Sequence, residues 1–157
     1  MKKVSFLSAA KAVLTLFIFA GILTACSNST SSEDHEQEPV GFAIYQGSTL
    51  LVSQNSSGSM SGEITIEAST SSDLRIAFID EDDEVFTPDK DEHSLSFETI
   101  NGSGEISISQ EDASNQPFLF TINGVSEGEA SFNFSLLHVG AEEFGPATVP
   151  VTVSASN

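Results

Sequence analysis

From Gly41 onward the chain alternates between apolar and polar residues with a period of two. In Glu129–Leu137, Ala130, Phe132, Phe134 and Leu136 share one face, and Ser131, Asn133 and Ser135 share the other. Successive side chains of a strand point to opposite faces, so this spacing predicts a half-buried β-strand. Shorter segments repeat the pattern: Ile64 and Ile66; Leu74, Ile76 and Phe78; Leu95 and Phe97; Ile106 and Ile108; Phe118, Phe120 and Ile122; Val149, Val151 and Val153. An opening hairpin is predicted to pair Phe42–Tyr45 with Leu50–Val52 across Gly47-Ser48. Asn101-Gly102, Asn123-Gly124 and Gly128 read as turn signals between strands. No segment sustains apolar residues at i, i+3 and i+4. Eight or nine short strands at this spacing predict an all-β fold, a single antiparallel two-sheet sandwich over residues 41–157, with an up-and-down barrel as the competing arrangement.

Before residue 41 the pattern changes twice. Lys2, Lys3 and Lys11 precede an apolar run, Ala12–Ala25, that shows no alternation. Fourteen residues fall short of the roughly 20 that a helix needs to cross a bilayer core. Basic start, apolar run and small residues at its end are the layout of a secretory signal. The run closes on Leu23-Thr24-Ala25-Cys26, which contains the chain's one cysteine. This tetrapeptide resembles the lipobox of bacterial lipoproteins. The resemblance implies that residues 1–25 are a removed signal peptide, with Leu23, Thr24 and Ala25 read by the peptidase. It also implies that Cys26 becomes the acylated first residue, carrying a covalent lipid. With that thiol acylated, none is left for a disulfide, a thiolate ligand or a nucleophile. Ser27, at the second mature position, is similar to the outer-membrane signal of two-membrane cells. Residues 26–40 are then polar and acidic, without hydrophobic periodicity, and read as a flexible tether.

Composition sharpens the picture once the leader is set aside. Three of the five Lys and Arg residues lie in the leader and none of the twenty-three acids does. Arg75 and Lys90 thus face all the acidic residues, a net charge of −21 after residue 25 against −18 for the whole chain. Displacing counterions from a phosphate backbone takes Lys and Arg, so nucleic acid is excluded as a partner. An anionic bilayer would repel the domain, which leaves the lipid on Cys26 as the contact with membrane. The acidity itself serves solubility or attracts divalent cations.

The last third, Gly128–Leu137 followed by Ala147–Ser154, resembles the closing strands of bacterial immunoglobulin-like modules. The chain has no Trp and no Cys pair for the core of an antibody domain. Nine phenylalanines after the leader are available to fill the space between sheets instead.

Candidate chemistry is sparse. Asp80, Asp82, Asp83 and Glu84 crowd one short stretch, with Asp89, Asp91 and Glu92 nearby. Ca²⁺ needs about six to eight converging oxygens, and a carboxylate-rich loop can supply several. It is not an EF-hand, because Val85 stands where that loop requires Gly. The alternative is a solvated hairpin turn. His93 follows the acidic stretch and His138 ends the long alternating strand in phase with its core face. They are candidate ligands for a transition metal if they converge, and structural side chains if they do not. His35 lies in the tether. Gly58-Ser59-Met60-Ser61-Gly62 places Met where a nucleophile elbow has Ser, and reads as a flexible loop. Gly102-Ser103-Gly104 lacks the third glycine of a dinucleotide fingerprint. No catalytic constellation emerges. The expectation is a lipid-anchored, non-enzymatic envelope module, outer-membrane in a two-membrane cell, that binds an envelope protein. The alternative is a lipoprotein that binds Ca²⁺ or a transition metal beside a membrane transporter.

Overall fold

The computed structural model describes residues 37–156. Residues 1–36, including the leader, Cys26 and most of the tether, lie outside them. In chain order the strands are β1 (Gly41–Gln46), β2 (Thr49–Gln54), β3 (Met60–Gly62), β4 (Ile64–Glu67), β5 (Ser71–Ile79) and β6 (Val85–Phe86). There follow β7 (His93–Asn101), β8 (Glu105–Ser109), β9 (Leu119–Ser126), β10 (Gly128–His138) and β11 (Ala141–Ser154). No helix forms among the described residues.

Two sheets result. The first runs β3-β2-β1-β5-β9-β8, with β6 paired to the end of β5. The second runs β4-β11-β10-β7. Their facing sides bury the residues that the alternation singles out, including Ile44, Leu74, Ile76, Phe78, Ile122, Phe132, Phe134, Leu136, Val149 and Val151. The fold is therefore a β-sandwich, and the barrel alternative is excluded by the separation into two sheets. All nine described phenylalanines join ring-to-ring contacts. Phe42 meets Phe134 edge to face at 4.9 Å, Phe78 meets Phe144 at 5.7 Å, and Phe97 meets Phe120 at 5.0 Å. Such pairs add about 0.5–1.5 kcal/mol each beyond the burial of their area.

Several expectations change. Eleven strands form, because β3 and β6 are too short to show alternation. Every pairing is antiparallel except that of β4 with β11, which is parallel in the register Val151↔Ile64 to Ser154↔Glu67. Gly62 makes this possible. At φ 86° it bends the chain out of the first sheet, and a Cβ there would run into the Leu51 carbonyl. After Glu63 the chain continues at the edge of the second sheet. The serine-rich stretch is thus half turn and half edge strand, with Ser61 paired to Ser53.

The third change concerns Asn123-Gly124, which lies inside β9 and not in a turn. Gly124 is where the β4–β5 connection rests on β9. Its amide donates to the Thr70 carbonyl at 3.1 Å, and its carbonyl accepts from the Ser69 amide at 2.8 Å. A Cβ would come within 2.6 Å of the Glu67 carbonyl oxygen. Glycine inside a strand here marks close backbone approach.

The last residues assigned to the tether already belong to the domain. The Val40 amide donates to the Ile79 carbonyl at 2.8 Å, and the Gln37 side chain donates to Asp80 Oδ2 at 3.0 Å.

A histidine–carboxylate cleft beside a closed acidic turn

The acidic stretch folds into the tight connection between β5 and β6. Asp80 is buried, 8 % exposed, and its carboxylate turns inward. Oδ1 accepts from the amides of Asp82 (3.0 Å) and Glu84 (2.9 Å), while Oδ2 accepts from Gln37. The Asp80 amide donates to the Glu84 carbonyl and the Asp83 amide to the Asp80 carbonyl, closing the turn. Asp83 adopts φ 61°, and its Oδ1 accepts from the Ser56 amide at 3.1 Å. The Ser56 hydroxyl, and after it this amide, hold the Asp83 carboxyl below its ordinary value. Asp82 and Glu84 extend into solvent. The four carboxylates do not share a centre.

The histidines do. β7 and β10 pair so that His93 lies directly opposite His138. Their rings stack at a centroid distance of 4.7 Å and an angle of 12°. Both lie two residues beyond a buried leucine, Leu95 and Leu136 respectively, and so share the inward phase of their strands. They stand where the sandwich opens and not in its core.

Glu143 completes the group through an irregularity of β11. Leu137 pairs with Glu142 and Leu136 with Phe144, so Glu143 is the extra residue of a bulge. A bulge re-aims a side chain. Here Phe144 points into the core while Glu143 Oε2 reaches His93 Nε2 at 3.0 Å. Glu92 Oε2 lies 3.3 Å from His138 Nε2. The His93 ring is fixed on its other side, with Nδ1 2.9 Å from the Asp89 carbonyl, which also accepts the His93 amide. Among the described residues, His93, His138 and Glu143 form the group of three whose ligand atoms lie within 4.8 Å of one another.

These side chains line a cleft of about 290 Å³ with Pro39, Phe86, Pro88 and Leu136 among its walls. Little positive charge competes for it. Lys90 is paired with Asp91 at 2.8 Å, which holds the lysine above its ordinary value, and the Arg75 guanidinium lies 4.6 Å over the Tyr45 ring.

Of the sequence candidates, His93 and His138 come together, and Asp80, Asp82, Asp83 and Glu84 stay apart from them. Leu23, Thr24, Ala25 and Cys26 lie outside the described residues. Glu143 was missed because strict alternation gives no hint of a bulge. The Glu142-Glu143 pair just after the Val139-Gly140 turn was the available signal.

No protein-family model and no curated protein matches the chain. Solved structures that match the chain include domains 4 and 5 of the S-layer protein SbsC, at 16 % identity and a TM-score of 0.41 over 59 % of this chain and 42 % of that one. Two longer SbsC structures, domains 4–9 and domains 1–6, match at 17 % identity and a TM-score of 0.41 over 62 % of this chain. The chain spans less than half the length of each.

Proposed function

We propose that this protein is a non-enzymatic module of the bacterial cell envelope, held to a membrane by acylated Cys26, which offers the cleft end of its sandwich to an envelope partner. The observation that carries this reading is Leu23-Thr24-Ala25-Cys26, with the chain's one thiol at the end of an apolar leader. Each buried CH₂ of an acyl chain contributes about 0.8 kcal/mol, so two or more chains hold firmly. The domain's own acidity favours distance from anionic headgroups. The ten residues 27–36 between Cys26 and Gln37 reach at most about 35 Å when extended. Gln37 and Pro39 line the cleft, so the tether joins the domain beside it. In a two-membrane cell, Ser27 favours the outer membrane.

Mass spectrometry of the N-terminal peptide from membrane-extracted protein tests the anchor. The expected peptide starts at Cys26 and carries fatty acyl groups, and Cys26→Ser moves the protein to the soluble fraction. An unmodified peptide spanning Ala25-Cys26 would overturn the reading. A second reading, a cation-binding lipoprotein that serves a membrane transporter, is favoured by the convergence of His93, His138 and Glu143.

A further inference from the structure

We infer that His93, His138 and Glu143 form a binding site for one transition-metal ion of the zinc type, with its remaining coordination position open to the cleft. This refines the cation-binding reading and does not depend on the lipid anchor.

The hydrogen bonds at His93 carry the argument. A carbonyl oxygen only accepts, so the His93 nitrogen 2.9 Å from the Asp89 carbonyl, Nδ1, bears the proton. In a neutral imidazole the other nitrogen, Nε2, then presents a lone pair. That lone pair faces a carboxylate oxygen of Glu143, also an acceptor, at 3.0 Å. Two acceptors at this distance repel unless a cation lies between them. A proton satisfies the His93–Glu143 contact alone. A metal ion satisfies it and also uses the second imidazole, His138, which lies opposite His93 across the strand pair and reaches the ion once its ring turns out of the present stack, because the lone pair lies in the ring plane.

The arrangement has the parts that metal ligation needs. The Asp89 carbonyl holds the His93 ring in one tautomer and one orientation, the usual outer-sphere support of a ligating histidine. Bonds of about 2.0–2.1 Å in a tetrahedron put neighbouring ligand atoms about 3.3 Å apart. The Nε2–Oε2 distance at His93 and Glu143 is already near that value. The ligand atoms of the group span up to 4.8 Å, so His138 must close the gap. It can do so by side-chain rotation, since it ends its strand and its side chain is 39 % exposed. Glu92, beside His138, adds negative charge at the rim.

The donor set decides the ion class. Two imidazoles and one carboxylate suit zinc and its neighbours, whereas Ca²⁺ takes about six to eight oxygens. Three protein ligands leave a fourth position for water or for a group on a partner.

The test is calorimetric titration of Zn²⁺ into the full-length chain in detergent, near neutral pH. One ion per chain is expected, and Ca²⁺ does not displace it. The double variant His93→Gln/His138→Gln should bind at least about 100-fold more weakly, beyond the roughly 10–100-fold cost of outer-sphere changes, and Glu143→Gln about 10-fold more weakly. Cys26→Ser should bind as wild type does, which separates this result from the fate of the anchor. No binding heat, or equal affinity in the double variant, would overturn the site. Imidazole NMR signals of the wild-type chain give a readout that needs no variant. Those of His93 and His138 should shift together and saturate at one equivalent. A response confined to His35, or none, would also overturn the inference.

Discussion

Two carboxylate neighbourhoods lie near the same end of the sandwich, and they use their charge in opposite ways. In the turn Asp80–Glu84 the acids are consecutive in sequence, yet the one buried carboxylate, Asp80, is filled by two backbone amides and the Gln37 side chain. The rest are exposed, with Asp83 accepting from Ser56 at the surface. In the cleft, Glu92, His93, His138 and Glu143 come from three strand ends and meet as ring nitrogens against carboxylate oxygens, at 3.0 Å for His93–Glu143 and 3.3 Å for His138–Glu92. Carboxylate density along a chain thus says little about convergence. A short acidic run is a good turn former because its side chains can accept from its own amides. A ligand set needs groups whose lone pairs are not already used.

That contrast can be broken at either place. The largest effect is expected from Asp80→Ala, which leaves the Asp82 and Glu84 amides without their acceptor. Losing a charged, buried acceptor should cost about 2–3 kcal/mol, read as a lower urea midpoint. Asp80→Asn keeps Oδ1 and should recover most of it. Next, Zn²⁺ at about 100 times its dissociation constant should raise stability by about 2.7 kcal/mol. The rise should vanish in His93→Gln/His138→Gln and persist in Asp82→Asn/Glu84→Gln. An equal loss in both double variants would erase the distinction. Gln37→Ala removes one bond to Asp80 Oδ2 and should cost about 1 kcal/mol, again by urea denaturation. The smallest effect lies at Asp83. Its carboxyl is held below its ordinary value of 3.8 by Ser56, so the charged form contributes stability above that pH. The contribution is lost as pH falls through the lowered folded value. Asp83→Asn retains an acceptor and suits the positive φ, so its midpoint should differ slightly from wild type at neutral pH and coincide with it in strong acid.

Much of the fold was legible because one side of each sheet is buried. Period-two alternation marks such strands directly, and Phe132, Phe134 and Leu136 fall inward as their spacing requires. What escaped were features set by contacts distant in sequence. Asn123-Gly124 has turn chemistry, but its glycine answers to the Ser69–Thr70 backbone crossing β9. The parallel β4–β11 pair depends on Gly62 turning the chain between sheets. The histidine pair was half legible. His93-x-Leu95 and Leu136-x-His138 place both rings in the inward phase, and only the β7–β10 register makes them partners. Glu143 depends on a bulge, which alternation cannot announce.

Anomalous diffraction at the zinc edge, from crystals of the protein soaked in zinc, tests the contrast most directly. One peak is expected in the cleft, about 2.0–2.1 Å from a ring nitrogen of each of His93 and His138 and bonded to Glu143. A peak among Asp80, Asp82, Asp83 and Glu84 with none in the cleft would contradict it.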